Sequence, residues 1–258
     1  MKLILTGVTG VGGLAIYRAA LADPTITNIT LLSRRTIPDW AQLPPNAATK
    51  TSLILHRDFL AYPPDLARQL AEHDACIWAL GKSAIGMNEK DYTTLTYEYP
   101  TAFVRALRDA GVGERRTAGD PFRFVYLSGE QADTTGQARQ MWARVKGRAE
   151  NELTGLCDAA TNMKAHIYRP GYFAPLPEDR KYQRSWSIGM LDRVMTPLMS
   201  TLTPSLVSPI QDLARFVVEV AKGRWPEKTL FRNADMLKLI KEVPKEPTSS
   251  VPAAREDL

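Results

Sequence analysis

Four glycines near the N terminus have the spacing of a turn that binds a dinucleotide. A short apolar run ends at Thr6, and the glycines precede residues 14–21, whose apolar positions have helical spacing. Glycine lets the backbone turn tightly and approach a pyrophosphate, whose charge then lies at the N terminus of the following helix. The spacing Gly-x-x-Gly-x-x-Gly differs from the common Gly-x-Gly-x-x-Gly. We therefore predict a dinucleotide site at Gly7, Thr9, Gly10, Val11, Gly12 and Gly13.

Basic residues after the next apolar run predict which dinucleotide binds. Residues 29–32 are followed by Ser33, Arg34 and Arg35, and the first acidic residue after them is Asp39. An acidic side chain at this position bonds the ribose hydroxyls of NAD, whereas arginine suits the 2′-phosphate of NADP. The sequence therefore favours NADP(H) as the cofactor.

Four further apolar runs also end in small or polar residues. Asp58 and Phe59 follow the third run, and Ala79, Leu80 and Gly81 end the fourth, so we include all five among the candidate cofactor contacts. Because the carboxyl ends of parallel strands meet at one edge of a sheet, the residues after all six runs should converge on one crevice. The convergent set is Gly7, Arg34, Asp58, Gly81, Ser128 and Arg169.

The elements that must position these residues alternate regularly between strand and helix. Strands are predicted near residues 3–5, 29–32, 52–56, 75–80, 122–127 and 165–168, and helices near 14–22, 64–72, 89–110 and 137–160. Such alternation is typical of an α/β fold with a doubly wound parallel sheet, the Rossmann arrangement. We assign residues 1–171 to this nucleotide-binding core.

The rest of the chain is less regular. Helical spacing at 188–202, 210–223 and 233–242 predicts a small, mostly helical C-terminal cap at 172–243 beside the crevice, and the polar residues 244–258 are expected to be disordered. The side chains of Trp186, Met190, Met195 and Met199 either line a substrate pocket or belong to a core.

Composition excludes several classes of function. The chain has 258 residues, 24% of them charged, and its net charge of +5 is scattered, which argues against nucleic-acid binding. It has no run of roughly 18 apolar residues, so no membrane span is expected. Cys76 and Cys157 lie in apolar settings typical of reduced thiols, and the three isolated histidines predict no metal site. We expect a cytoplasmic protein that acts on a small molecule, of undetermined oligomeric state.

Five motifs in order resemble a known family. They are TGVTGVGG from Thr6, LLSRR from Leu31, YLSG from Tyr126, VKGRAE from Val145 and YRPGY from Tyr168. Together they are similar to the atypical short-chain dehydrogenase/reductases, in particular the group of the animal Tat-interacting oxidoreductase and its uncharacterised fungal relatives. The resemblance covers about residues 1–243. It implies a Rossmann fold and a serine, tyrosine and lysine that act at the nicotinamide.

Two of those three residues are present at the matching positions of this chain. The resemblance implies that Lys146 holds the nicotinamide ribose and that Ser128 orients the substrate oxygen. It also implies that Asp58 bonds the adenine, although an aspartate that only stabilises a turn is almost equally expected at that position. The tyrosine should precede the lysine by four residues, but that residue is Trp142. An indole does not titrate usefully, so Trp142 cannot act as a general acid.

The missing tyrosine leaves three functions open. The first, which we favour, is an NADPH-dependent reductase of a small organic substrate, with the acid displaced to Tyr172 or Tyr126 or with an enone or iminium substrate that needs none. The second is a non-redox enzyme (dehydratase, isomerase or cyclase) in which Trp142 stacks on the substrate. The third is a regulatory protein that binds NADPH without turnover.

Overall fold

Seven parallel strands form the single sheet of this computed structural model, which describes residues 1–114, 116–183 and 203–244. The strands are β1 (Lys2–Thr6), β2 (Asn28–Ser33), β3 (Thr51–Leu55), β4 (Ala75–Trp78), β5 (Phe122–Leu127), β6 (Met163–Arg169) and β7 (Leu230–Arg232). Their order is β3-β2-β1-β4-β5-β6-β7, and the first six have the order of the doubly wound nucleotide-binding fold. The predicted α/β class is therefore confirmed.

Helices cover both faces of the sheet. Those described are α1 (Val11–Ala22), α2 (Ala47–Lys50), α3 (Pro64–Leu70), α4 (Glu89–Thr93), α5 (Tyr99–Asp109), α6 (Met141–Asp158), α7 (Arg180–Gln183), α8 (Ile210–Ala221) and α9 (Asn233–Leu239). A π-helical turn (Thr94–Glu98) joins α4 to α5, and 3₁₀ turns occupy Pro204–Leu206 and Ile240–Glu242.

The π-helical turn divides the single helix that was predicted at 89–110, and a proline explains it. Pro100 has no N–H with which to bond the carbonyl of Thr96, four residues earlier. The hydroxyl of Tyr126, on β5, donates to that carbonyl instead, at 2.9 Å. The buried tyrosine hydroxyl and the carbonyl thus satisfy each other.

The side chains of the sheet alternate between two hydrophobic clusters. Leu3 and Leu5 of β1 join one cluster with residues of α1 and α8, whereas Ile4 joins the other with residues of α5 and α6. This alternation is the period of two that a strand buried on both faces requires. Both layers leave the carboxyl edge of the sheet open for the loops that carry the candidate site residues.

Residues 172–243 contribute to the sheet as well as covering it. In the described part of this region, strand β7 pairs with β6 and α8 packs beside α1, so it extends the sheet and the helical layer on the α1 side. The sequence did not predict β7, since it has only three residues and only Phe231 among them is buried. The predicted helix at 188–202, Trp186, Met190, Met195, Met199 and all but Pro244 of the predicted tail lie outside the described residues.

The segment that precedes residue 184 is attached to α1. Arg18 of α1 forms an ion pair with the carboxylate of Asp179, in which the Nη2–Oδ1 distance is 3.0 Å. The rings of Trp40 and Tyr182 stack with their centroids 4.7 Å apart.

Among the described helices, none is long and apolar enough to cross a membrane.

Candidate functional site

The turn after β1 accepts only glycine at two positions. Gly7 has φ of +71°, and a Cβ built on it would lie 2.4 Å from the carbonyl oxygen of Ala79. A Cβ on Gly13 would lie 2.0 Å from the carbonyl oxygen of Gly7. The first glycine therefore permits the turn and the second lets α1 pack against it, which are the roles that glycines have in a dinucleotide-binding turn.

The N terminus of α1 is open to an anion. Gly10 is the exposed N-cap residue, so no side chain caps the first N–H groups of the helix, and its first turn contains no acidic residue. Those N–H groups carry the positive end of the helix dipole. A phosphate group placed there accepts their hydrogen bonds, so the site fits the pyrophosphate of a dinucleotide.

A cleft runs from this turn to the end of β2. Its lining residues are Gly7, Thr9, Leu32, Ser33, Arg34, Arg35, Phe59 and Leu80. The hydroxyl of Ser33 donates to the carbonyl of Arg35 at 2.8 Å and holds the turn. Arg34 and Arg35 are exposed, and neither forms an ion pair with a carboxylate of the described residues. Two free guanidinium groups at this position are suited to a phosphate ester.

Several other predicted contacts lie outside that lining, among them Ala79, whose carbonyl oxygen faces Gly7. Asp58 is exposed, and its Oδ1 accepts the N–H of Leu60 at 3.0 Å, as in an ordinary turn. Gly81 is also exposed, with no atom within 4 Å of a Cβ built on it. Val11 and Gly12 belong to the first turn of α1, where a Cβ on Gly12 would lie 3.5 Å from the ring of Phe173.

At the other end of the crevice, the hydroxyl of Ser128 is engaged inside the protein. It donates to the carboxylate of Glu150, and both residues are 4% exposed. Arg169 binds the same carboxylate through Nε, at 2.9 and 3.1 Å, and through Nη2. This geometry does not present the Ser128 hydroxyl to a substrate oxygen.

Lys146 lies between Trp142 and Glu150 on one face of α6, since the three are four residues apart. Its Nζ donates to the backbone carbonyl of Ser128. Burial lowers the pKa of Lys146 to about 8, although the nearby carboxylate of Glu150 opposes the shift. The lysine side chain also packs over Gly129, where a Cβ would lie 3.3 Å from Nζ. Trp142, in the first turn of α6, is half-buried.

The tyrosines near the crevice differ in their access to it. Tyr126 is buried and donates to Thr96, and burial raises its pKa well above the usual range, so its role is structural. Tyr168 is buried in a polar network with Ser208 and Asn233. Tyr172 is half-buried, and its backbone forms a parallel bridge to Val207.

Sequence reasoning missed Glu150 and Gly129. Glu150 follows Lys146 by four residues within VKGRAE and shares a helix face with Ala143, Leu153 and Cys157, and a carboxylate on an apolar helix face signals a buried ion pair. Gly129 gives no sequence signal of its contact with Lys146, because only the path of the chain after β5 brings them together. Within the described ranges, no three His, Cys, Asp or Glu residues are grouped as metal ligands, and Cys76 and Cys157 are buried free thiols.

Comparison with curated proteins finds two distant fungal relatives. One is the leucinostatins biosynthesis cluster protein T of Purpureocillium lilacinum, 27% identical over 154 residues, which are 59% of this chain and 51% of that protein. The other is the mitochondrial protein fmp52 of Emericella nidulans, 29% identical over 182 residues and 70% of each chain. This chain thus spans about half the length of the first. No protein-family model matches it.

Solved structures share the fold at low sequence identity. A short-chain dehydrogenase/reductase family oxidoreductase of Burkholderia thailandensis has a TM-score of 0.63 at 15% identity, covering 92% of both chains. The L-sorbose reductase of Gluconobacter frateurii, solved with NADPH, has a TM-score of 0.63 at 13% identity, covering 90% of this chain and 94% of its own. The dTDP-glucose 4,6-dehydratase DesIV of Streptomyces venezuelae, solved with NAD, has a TM-score of 0.58 at 17% identity, covering 94% and 80%.

These likenesses define the fold class of the chain. It has the Rossmann fold of the short-chain dehydrogenase/reductase family oxidoreductase, the L-sorbose reductase and the dTDP-glucose 4,6-dehydratase named above. One fold hosts several chemistries, so the reaction has to be argued from the residues at the crevice.

Proposed function

We propose that this protein binds NADP(H) and is an oxidoreductase that acts on a small organic substrate. The observation that carries the proposal is the uncapped N terminus of α1, next to a glycine turn and two arginines that form no ion pair with a carboxylate in the described part of the chain. The turn and helix would hold the pyrophosphate, and Arg34 and Arg35 the 2′-phosphate. The structural relatives solved with NAD or NADPH support a nicotinamide cofactor.

The residues of this chain would have distinct roles around that cofactor. The bound nicotinamide would supply or accept a hydride. Lys146, on α6, contacts the backbone just after β5 and would bond the nicotinamide ribose, whereas Phe59 and Leu80 would cover the apolar side of the nucleotide cleft. Trp142 would form a wall of the substrate pocket. We assign 1–171 to cofactor binding and 172–243 to substrate contacts.

Calorimetric titration with NADPH and NADH, followed by a panel of aldehydes, ketones, enones and imines, tests the proposal. We expect NADPH to bind and at least one compound to oxidise it. Failure of both dinucleotides to bind would contradict the proposal at its first step. The purified protein should be freed of carried-over cofactor beforehand.

A second candidate is a protein that binds NADPH without turnover and signals its bound state. The specific observation in its favour is that neither the tyrosine nor the serine implied by the resemblance is available to a substrate, since position 142 is tryptophan and the Ser128 hydroxyl donates to Glu150. Tight NADPH binding without oxidation of NADPH by any compound would favour this candidate.

The cellular compartment is a further part of the proposal. We propose the cytoplasm, although the relative from Emericella nidulans carries the word mitochondrial in its name. Fractionation of cells that express the tagged chain distinguishes the two compartments.

A further inference from the structure

We propose that Lys146 is the general acid of this protein and delivers to the substrate oxygen the proton that Trp142 cannot supply. The inference rests on the proposed redox function and deepens it. In related enzymes a tyrosine donates this proton and the lysine assists, so the two tasks would here fall to one residue.

Three hydroxyl groups near the end of β5 are unsuited to donate the proton, because each is engaged in a hydrogen bond inside the protein. Ser128 donates to Glu150, and Tyr126 donates to the carbonyl of Thr96. The hydroxyl of Tyr168 lies within the buried network of Ser208 and Asn233. Each is therefore held away from a substrate, which leaves Lys146 and Tyr172 as the groups to compare by experiment.

The position of Lys146 suits proton donation. Its Nζ lies at the carboxyl edge of the sheet, one helical turn from Trp142, and donates to a backbone carbonyl that does not compete for its proton. Because residue 129 is glycine, no side chain stands beside Nζ on that side. From there an ammonium group would reach, directly or through one water, the oxygen of a substrate bound at this edge of the sheet.

The charges that face Lys146 allow it to titrate near neutrality. Glu150 lies on the same helix, but Arg169 from β6 pairs with that carboxylate and offsets its charge. Burial consequently dominates and lowers the pKa of Lys146 to about 8. A general acid works best when its pKa is close to the working pH.

The step is balanced without any further reactant. When the carbonyl carbon of a substrate accepts a hydride from the reduced nicotinamide, its π electron pair moves to oxygen, and that oxygen takes a proton from the Lys146 ammonium. The products are an alcohol, the oxidised nicotinamide and a neutral amine, which solvent water reprotonates.

The Lys146→Arg variant separates the two tasks of the residue, because arginine keeps the positive charge and the hydrogen bonds but does not release a proton. With NADPH and 4-nitrobenzaldehyde as the probe substrate, we expect the variant to keep the NADPH Kd within about threefold and to lose about 100-fold or more of kcat. Lys238→Arg, at an exposed position on α9, is the matched control and should retain both.

A second readout does not depend on turnover. Competitive acylation of the full chain from pH 6 to 11, followed by peptide mass spectrometry, gives the midpoint at which each lysine becomes reactive. We expect a midpoint near 8 for Lys146, below the value of about 10.4 that is usual for a lysine side chain.

Three results would overturn the inference without rejecting the proposed function. They are an acylation midpoint near pH 10 for Lys146, a Lys146→Arg variant that keeps kcat, and a Tyr172→Phe variant that loses kcat while Lys146→Arg does not. NADPH binding without any oxidation of NADPH would also reject the acid and leave the regulatory candidate. If the unmodified chain does not bind NADPH, the proposed function itself is rejected, whatever the acylation midpoint of Lys146.

Discussion

Ser128 donates its hydroxyl hydrogen to Glu150, whose carboxylate also accepts three hydrogen bonds from Arg169. The residue that the family resemblance places at the substrate is therefore part of a buried ion-pair network. Arg169 is 13% exposed and Glu150 is 4% exposed, so water compensates little if one partner is lost. This network fixes the end of β5 against α6 and β6, where the nicotinamide would bind.

Removing the charge of Glu150 should destabilise the protein strongly. Glu150→Gln leaves the Arg169 guanidinium without a counter-ion in a buried setting, which typically costs about 3–5 kcal/mol. Urea unfolding followed by circular dichroism measures the loss. Replacing both residues, as in Glu150→Leu with Arg169→Met, should recover much of it, and a double variant as unstable as Glu150→Gln would contradict this account.

Two substitutions should each add a catalytic group of the kind that the resemblance implies. Trp142→Tyr supplies the tyrosine and should create or raise carbonyl reductase activity. Gly129→Ser adds a hydroxyl on the Cβ that points towards Lys146, where only the flexible end of that lysine has to move. We expect the double variant to reduce an aldehyde and ketone panel faster than Trp142→Tyr alone, with Trp142→Phe as the control. Equal rates for both would show that residue 129 is not the position from which a serine acts.

The preference for NADPH should depend on Arg34. One interaction between an arginine and a phosphate is worth about 1.5–3 kcal/mol, so NADPH should bind about ten times more tightly than NADH or better. Arg34→Ala should reduce that ratio about tenfold by calorimetry, while Arg108→Ala, an exposed change on α5, should leave it unchanged. Equal affinities for the two cofactors in the unmodified chain would remove the assignment of NADP(H).

Two helical glycines should respond in opposite directions to alanine. In Gly13→Ala the new Cβ would lie 2.0 Å from a backbone oxygen of the turn, which forces the backbone apart and should cost about 3 kcal/mol together with dinucleotide binding. Gly155 is exposed on α6 with open space around it, so Gly155→Ala should stabilise by about 0.5–1 kcal/mol. Thermal unfolding and NADPH titration of both variants measure the contrast, and a stable Gly13→Ala protein that binds NADPH would disprove it.

Stability should fall as the pH is lowered from about 6.5 towards 4, because of His166. Burial lowers the pKa of His166 to about 4, while the unfolded value is about 6.5. In that window the unfolded chain binds more protons, so the free energy of unfolding decreases by up to about 3 kcal/mol. Burial also lowers the pKa of His73, with the same sign. Urea unfolding at pH 7 and 4.5 should show a smaller difference in His166→Gln than in the unmodified chain, and an unchanged difference would count against this assignment.

Local sequence signals predicted much of the fold, since glycines, apolar runs and helical spacing report on each segment separately. The run at 122–127 and the helical pattern at 210–223 are examples, and both elements are present with nearly those bounds. Strand β7 was missed because pairing with β6, not its own sequence, makes it a strand. The start of α6 at Met141 instead of 137 was missed as well, because the loop before it is fixed by Asp133.

The sequence predicted which residue types form the candidate site, but not the direction in which every side chain points. The turn from Gly7 and the arginines after β2 line one cleft, as expected from neighbouring strands of a parallel sheet. No sequence pattern reveals whether a serine at the end of a strand points into the crevice or towards a buried carboxylate. For Ser128 that orientation depends on Glu150 and Arg169, which are brought together by packing between α6 and β6.

The attachment of α1 to distant parts of the chain has a consequence for synthesis on the ribosome. Helix α1 is covered by α8, and its end is tied through Asp23 to Lys222, 199 residues later. The part of α1 that faces α8 thus lacks that cover until α8 has left the exit tunnel, at an elongation rate of about 5–20 residues per second. The nascent chain therefore exposes that part of α1 for roughly ten seconds or more, a period in which unpaired apolar surface is prone to aggregation.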